Sequence, residues 1–273
     1  MSSSNAPDKL IALDLDGTLL REPDLIITAE NLAAIERAQA EGAVIAIVTG
    51  RPYASAEKVI GPLRVRAPIV SFNGAVIRMP DFGETLYKKL MPADLAQEVV
   101  QECVNRRLHL QYYLDDEMYV PRLSARARLY DRRAGIPSIP AGDLRRLNGQ
   151  QPIKLLIVDE PETIEELTAE FQVRWGDRLY VTRSMAEYLE FMDLGVSKGA
   201  ALDWLVEHFG LTHECTMAAG DRLNDLPLLE RAAYAVAMPD AEEALKAEAD
   251  FVPSNQPSGV AEAIDWFLGQ CKT

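Results

Sequence analysis

The chain has 273 residues, with 28 Lys and Arg against 42 Asp and Glu, giving a formal charge of −14. That length accommodates one large or two ordinary domains, and two fit best, with most of the apolar surface buried. The acidic balance disfavours nucleic acid and anionic membrane surfaces as partners, so an anionic ligand must be attracted locally, by a metal and a few cations.

The start, residues 1–9, is polar and lacks the apolar stretch of a signal peptide, and no apolar run is long enough to span a bilayer. A cytoplasmic protein is expected. Residues 10–13 are an apolar run that delivers Asp14 and Asp16 to its carboxyl end, and Gly17 can turn the chain there. A calcium loop does not fit, because the position that would need a closing Glu is Leu25. Thr28 can cap a helix running through Glu41, with Leu32, Ile35 and Ala38 on one face and Gly42 closing it. Strand 43–48 follows and ends on Thr49-Gly50-Arg51. Runs 68–72 and 75–78 flank Asn73-Gly74, a tight hairpin signal.

From 81 to 187 the pattern changes to alternating strands, such as 108–114 and 118–120, mixed with helices 94–107 and 162–171. Arg122, Arg126, Arg128, Arg132 and Arg133 make this stretch locally basic, as a solvated helix face or an anion contact. Lys198 then opens a helix after Val196-Ser197, and the run 216–219 leads into Gly220-Asp221-Arg222-Leu223-Asn224-Asp225. Strands 235–238 and 250–252 and a helix over 259–268 complete the chain. The fold class expected is α/β: a Rossmann-like, doubly wound parallel-sheet core formed by 1–81 and 188–273, with an α+β domain inserted at 82–187. Cys103, Cys215 and Cys271 read as reduced structural thiols, and His109, His208 and His213 form no zinc set.

Taken in order, Asp14-Leu15-Asp16-Gly17-Thr18, Thr49, Lys198 and the late acidic group resemble the haloacid dehalogenase-like superfamily. Thr49-Gly50-Arg51-Pro52-Tyr53-Ala54, Asn73-Gly74-Ala75, Leu189-Glu190 and Val196-Ser197-Lys198-Gly199 look like its Cof-type branch of sugar-phosphate phosphatases. The resemblance spans 10–267. It implies that the inserted domain is a cap that closes over the site and selects the substrate.

The same resemblance assigns Asp14 as nucleophile and Asp16 as general acid, then base. Phosphate monoesters are among the slowest substrates to hydrolyse, and a covalent aspartyl-phosphate divides the reaction into two steps. Thr49 and the Gly50 amide are expected to bind phosphate oxygens, with Leu15, between the two acids, and Asn224 also on the phosphate-binding side. Lys198 adds a full charge at a helix start, where backbone amides already favour anions. The metal ligands expected are Asp14, Asp16 through its carbonyl, and Asp221, with Asn224 and Asp225 either ligating directly or orienting water and Asp221; either of these two could instead cap the next helix. Oxygen ligands suit Mg2+. Arg51 could reach substrate, bridge to the cap or form a structural ion pair.

The expected activity is magnesium-dependent hydrolysis of small phosphorylated metabolites, chiefly sugar phosphates. The alternatives are a phosphomutase, which uses the same two acids, and a non-catalytic phosphometabolite sensor, whose expected mark is a lost Asp14, Asp16 or Lys198. One departure from the Cof pattern is Asp240, where relatives usually carry Asn. It could pair with Lys198, or cap a helix with Glu243 as a capping-box partner. Oligomeric state is not legible.

Overall fold

The computed structural model describes residues 7–20, 26–254 and 257–271. The polar start at 1–6 and Leu25 lie outside the described residues. Strand β1 (Lys9–Leu13) is buried from Leu10 onward, as its unbroken apolar run requires. Helix α1 (Ala29–Ala40) begins where the Thr28 hydroxyl accepts from the Asn31 N–H at 3.2 Å. Next come β2 (Ala43–Ile47), α2 (Tyr53–Ile60), β3 (Ile69–Ser71), β4 (Val76–Arg78) and β5 (Thr85–Lys88), the last three forming a small antiparallel sheet. The turn between β3 and β4 holds Asn73 at φ 54° and Gly74 at φ 105°, so the Asn-Gly signal does make a hairpin.

A second unit follows. It comprises α3 (Ala93–Arg106), β6 (Leu110–Leu114), β7 (Glu117–Val120), α4 (Ala125–Ala134), β8 (Ser138–Pro140), β9 (Lys154–Val158), α5 (Pro161–Trp175), β10 (Leu179–Met185) and β11 (Tyr188–Asp193). Its six strands lie in the order β10-β11-β9-β6-β7-β8, antiparallel except for the β7–β8 pair. The chain then returns through α6 (Lys198–Phe209), β12 (Thr216–Gly220), α7 (Leu226–Arg231), β13 (Tyr234–Ala237), α8 (Glu243–Glu248) and α9 (Gly259–Gln270). Strands β13-β12-β1-β2 make a wholly parallel sheet, extended toward β3 by the Val48–Val70 bridge. Helix α1 packs on α9, and α6 on α7. This is the α/β architecture expected.

Three buried apolar clusters follow these units. One fills the parallel-sheet unit, one lies wholly within the six-stranded unit, and the third joins them, where Phe72 and Val76 meet Tyr113, Leu156 and Met192.

Several details differ from expectation. Strand β11 pairs with β9 and β10, so the second sheet continues through Asp193 and the boundary at 187/188 falls inside it. Residues 250–252 give only a bridge, Val236–Phe251, because the chain crosses the sheet edge briefly. The capping box at Asp240 does not form: α8 starts at Glu243 with Glu242 as its N-cap, and Asp240 is exposed.

Candidate active site

Adjacent parallel strands bring the motifs together. The Asp14 N–H donates to the Ala219 carbonyl at 3.1 Å and the Val48 N–H to that of Leu13 at 2.9 Å, so the loops after β12, β1 and β2 lie side by side. From β1 the chain moves to β2 on one side and later returns at β12 on the other. Such a switch point opens a crevice at the carboxyl ends of the strands. Gly17 sits at φ +84° in the turn after β1, and a Cβ there would lie 2.1 Å from Asp221 Oδ2. Only glycine allows both the turn and the close approach of Asp221.

Asp14, Asp221 and Asp225 are buried, with one oxygen of each lying within 4.8 Å of the others. The Lys198 ammonium, on the first residue of α6, donates to both Asp14 Oδ1 and Asp225 Oδ1. Burial works against the Lys198 charge, but the two carboxylates outweigh it and raise the ammonium above its ordinary value. Burial, followed by the charge of Asp225, raises Asp14 well above the usual carboxyl range despite Lys198. The same two causes raise Asp221 to about 7.

Three buried carboxyl groups face one buried ammonium, that of Lys198, in the cluster. Among the described residues, the half-exposed Arg222 also reaches in, with Nε 3.1 Å from Asp221 Oδ2. The neighbouring Asn224 Oδ1 is buried and has no hydrogen-bond partner among the described residues. An oxygen-rich cluster of three carboxyl groups beside an orphaned carbonyl oxygen fits a hard divalent cation. Asp225 is the most committed of the set. Its Oδ1 takes Lys198, and its Oδ2 accepts from the N–H groups of Asp221 and Arg222, both at 3.0 Å. Those bonds orient the loop and Asp221. The carboxylate makes no side-chain cap on α7, and Asn224 instead donates to Asn73 Oδ1 at 3.0 Å.

Above Asp14 lies a cavity of about 120 Å³, walled on the parallel-sheet side by Asp14, Asp16, Thr49, Gly50, Arg51 and Asn224. Lys198, Asp221 and Asp225 lie behind Asp14 and are not part of that wall. The Leu15 side chain is buried in the core and its carbonyl is taken by Thr18 and Leu20, so only its N–H remains to face a ligand. Thr49 Oγ1 accepts from the Arg51 N–H at 3.1 Å, which leaves the hydroxyl proton to donate elsewhere. Arg51 grips Asp16 with two bonds, Nε to Oδ2 at 2.6 Å and Nη2 to Oδ1 at 2.5 Å. Of the three fates open to Arg51, the ion pair is the one observed.

The opposite wall comes from the second unit: Tyr130, Arg133, Lys154, Met185, Tyr188 and Glu190 are part of it. Arg133 is the one member of the basic segment on this wall, held by Glu187 and the Tyr188 hydroxyl, while Arg126 pairs with Asp159 at 2.7 Å. Sequence reading missed Lys154. The available signal was a lone Lys entering the apolar strand β9, matched by Glu190 within the apolar strand β11.

Comparison with known proteins finds relatives along nearly the whole chain. Residues 11–264 match the model of the haloacid dehalogenase-like hydrolases. A Streptococcus pyogenes serotype M6 protein named as a phosphatase is 32% identical over 95% of this chain and 98% of its own length. The 5-amino-6-(5-phospho-D-ribitylamino)uracil phosphatase YitU of Bacillus subtilis is 30% identical over 93% of this chain and 96% of its own. A haloacid dehalogenase-like hydrolase structure from Bacteroides thetaiotaomicron is 28% identical and superposes with a TM-score of 0.82 over 95% of this chain and 99% of that one. With its motifs gathered at one strand-end crevice, the chain belongs to the haloacid dehalogenase-like hydrolase family, in its Cof-type phosphatase branch.

Proposed function

We propose that the protein is a magnesium-dependent phosphatase of small phosphorylated metabolites, with phosphorylated sugars and polyols as the preferred class. The observation that carries this reading is the buried Asp14–Asp221–Asp225 cluster, tied by Lys198 and opening through Asp14 onto a cavity lined by Thr49 and Gly50. YitU, by its name, acts on a phosphate carried by a ribityl chain, which is the polyol chemistry proposed here. The six-stranded unit supplies the outer wall and serves as the cap that admits substrate and reads the leaving group.

In the first step an Asp14 oxygen attacks phosphorus, the ester P–O bond breaks, and Asp16 gives its proton to the departing alkoxide. In the second, water attacks the phosphorus of the aspartyl-phosphate, its proton passes to Asp16, and orthophosphate leaves with Asp14 regenerated. Thr49 and the Gly50 amide hold the equatorial oxygens, and Lys198 keeps Asp14 oriented. Asp14, Asp221 and the Asp16 carbonyl would hold the cation, with Asn224 beside them and Asp225 orienting the set. A divalent cation bound there would supply charge neutralisation for the carboxylates and the phosphate. Arg51 must turn from Asp16 to the incoming phosphate before Asp16 can act as an acid. No described helix is long and apolar enough to cross a membrane, and we assign the enzyme to the cytoplasm.

The test is phosphate release from a panel of sugar phosphates, polyol phosphates and nucleotides, with magnesium and with chelator. Magnesium-dependent release without a bisphosphate activator is expected. Isomerised sugar phosphate without free phosphate would instead indicate a mutase, and binding without turnover a sensor.

A further inference from the structure

Lysine and glutamate are almost never fully buried unless paired, yet Lys154 is 1% exposed and Glu190 2%. Register explains the pairing. Glu190 stands opposite Leu156, which puts Lys154 two residues along on the same face, and its Nζ lies 2.9 Å from Glu190 Oε1. What the pair holds lies outside its own sheet. Lys154 Nζ donates to the Gly50 carbonyl at 3.0 Å, and Glu190 Oε2 accepts from Asn73 Nδ2 at 2.6 Å, with Ser184 Oγ on Oε1 at 2.8 Å.

Asn73 completes the enclosure. Its N–H donates to the Thr49 carbonyl at 3.0 Å, and its Oδ1 would stand 2.9 Å from a Cβ on Gly50. The Gly50–Arg51 peptide is therefore pinned at both ends: Lys154 holds its carbonyl and Thr49 Oγ1 its N–H. A buried ion pair adds little net stability over an apolar pair of similar size, so stability alone does not account for two charges placed here.

We infer that Lys154 and Glu190 are positioning residues that set the Thr49-Gly50 turn for phosphate from the second unit, so that affinity for phosphate itself, and not only leaving-group preference, depends on that unit. The inference rests on the phosphatase reading above. Lys154 acts through the Gly50 carbonyl, and Glu190 acts by fixing Lys154 and Asn73.

The test uses the full-length protein as Lys154→Met/Glu190→Gln, which removes both charges while the new amide can still accept from Asn73 through its oxygen and donate to the Ser184 hydroxyl through its NH2. Orthovanadate is the phosphate probe, titrated calorimetrically with magnesium present. Near-wild-type melting is expected, with vanadate bound roughly tenfold more weakly, the scale of one lost charge-assisted hydrogen bond. KM should rise by the same factor for p-nitrophenyl phosphate and for a sugar phosphate. A folded variant with wild-type vanadate affinity would overturn the inference. So would a KM rise confined to the sugar phosphate, which would make the pair a leaving-group contact. If the double variant does not fold, Lys154→Gln/Glu190→Gln, neutral at both positions, carries the same readings. Wild-type turnover is scored separately: its absence would end the phosphatase reading, whereas the vanadate result bears on positioning alone.

Discussion

Asp14 and Asp16 stand two residues apart, yet their surroundings differ. Asp14 is buried against two further carboxylates and Lys198, whereas Asp16 reaches the cavity wall in the grip of Arg51. Distinct roles follow. Asp14→Asn keeps the shape but cannot attack phosphorus, and turnover is expected to vanish with the fold intact by circular dichroism. Asp16→Asn is expected to lower kcat by roughly 10²–10⁴, the usual worth of a general acid or base. Arg51 was not assignable from sequence, because its partner is chosen by the meeting of two loops 35 residues apart. The raised carboxyls make a second prediction. A carboxyl whose folded value exceeds its unfolded one binds more protons folded than unfolded, so its contribution to stability is lost as pH rises. For Asp221 that loss falls between the ordinary value of about 4 and about 7, with Asp14 acting in the same sense. Chelator-treated protein should therefore lose stability across this window, and magnesium should raise Tm more at pH 8 than at pH 5, since binding must displace those protons. An equal rise at both values would place the cation elsewhere.

At the scale of elements, the site depends on strand ends that turn sharply. Gly17→Ala would force a side chain into the left-handed region and against Asp221, so metal affinity and kcat are expected to fall together while Tm drops modestly. Isothermal titration with magnesium checks this, and unchanged affinity would show that the turn tolerates a Cβ. The strand-end motifs were legible because each joins an apolar run to a polar turn: 10–18, 43–51 and 216–225 could be read locally. The Lys154–Glu190 pair could not, because it exists only once β9 and β11 align in register. The end of the second sheet was likewise hidden, since β11 is as apolar as a core strand and only its pairing shows where it belongs.

At the scale of the molecule, two units close on a cavity of about 120 Å³. The central claim is that Asp14 carries the phosphoryl group between the two steps. The direct measurement is a rapid acid quench of wild-type enzyme turning over a substrate with radiolabelled phosphate in the presence of magnesium. The expected result is acid-stable, hydroxylamine-labile label on the protein before steady state, mapping to the peptide that contains Asp14 and missing from Asp14→Asn. Rapid turnover with no protein-bound label at any time, together with wild-type rates in Asp14→Asn, would contradict the account.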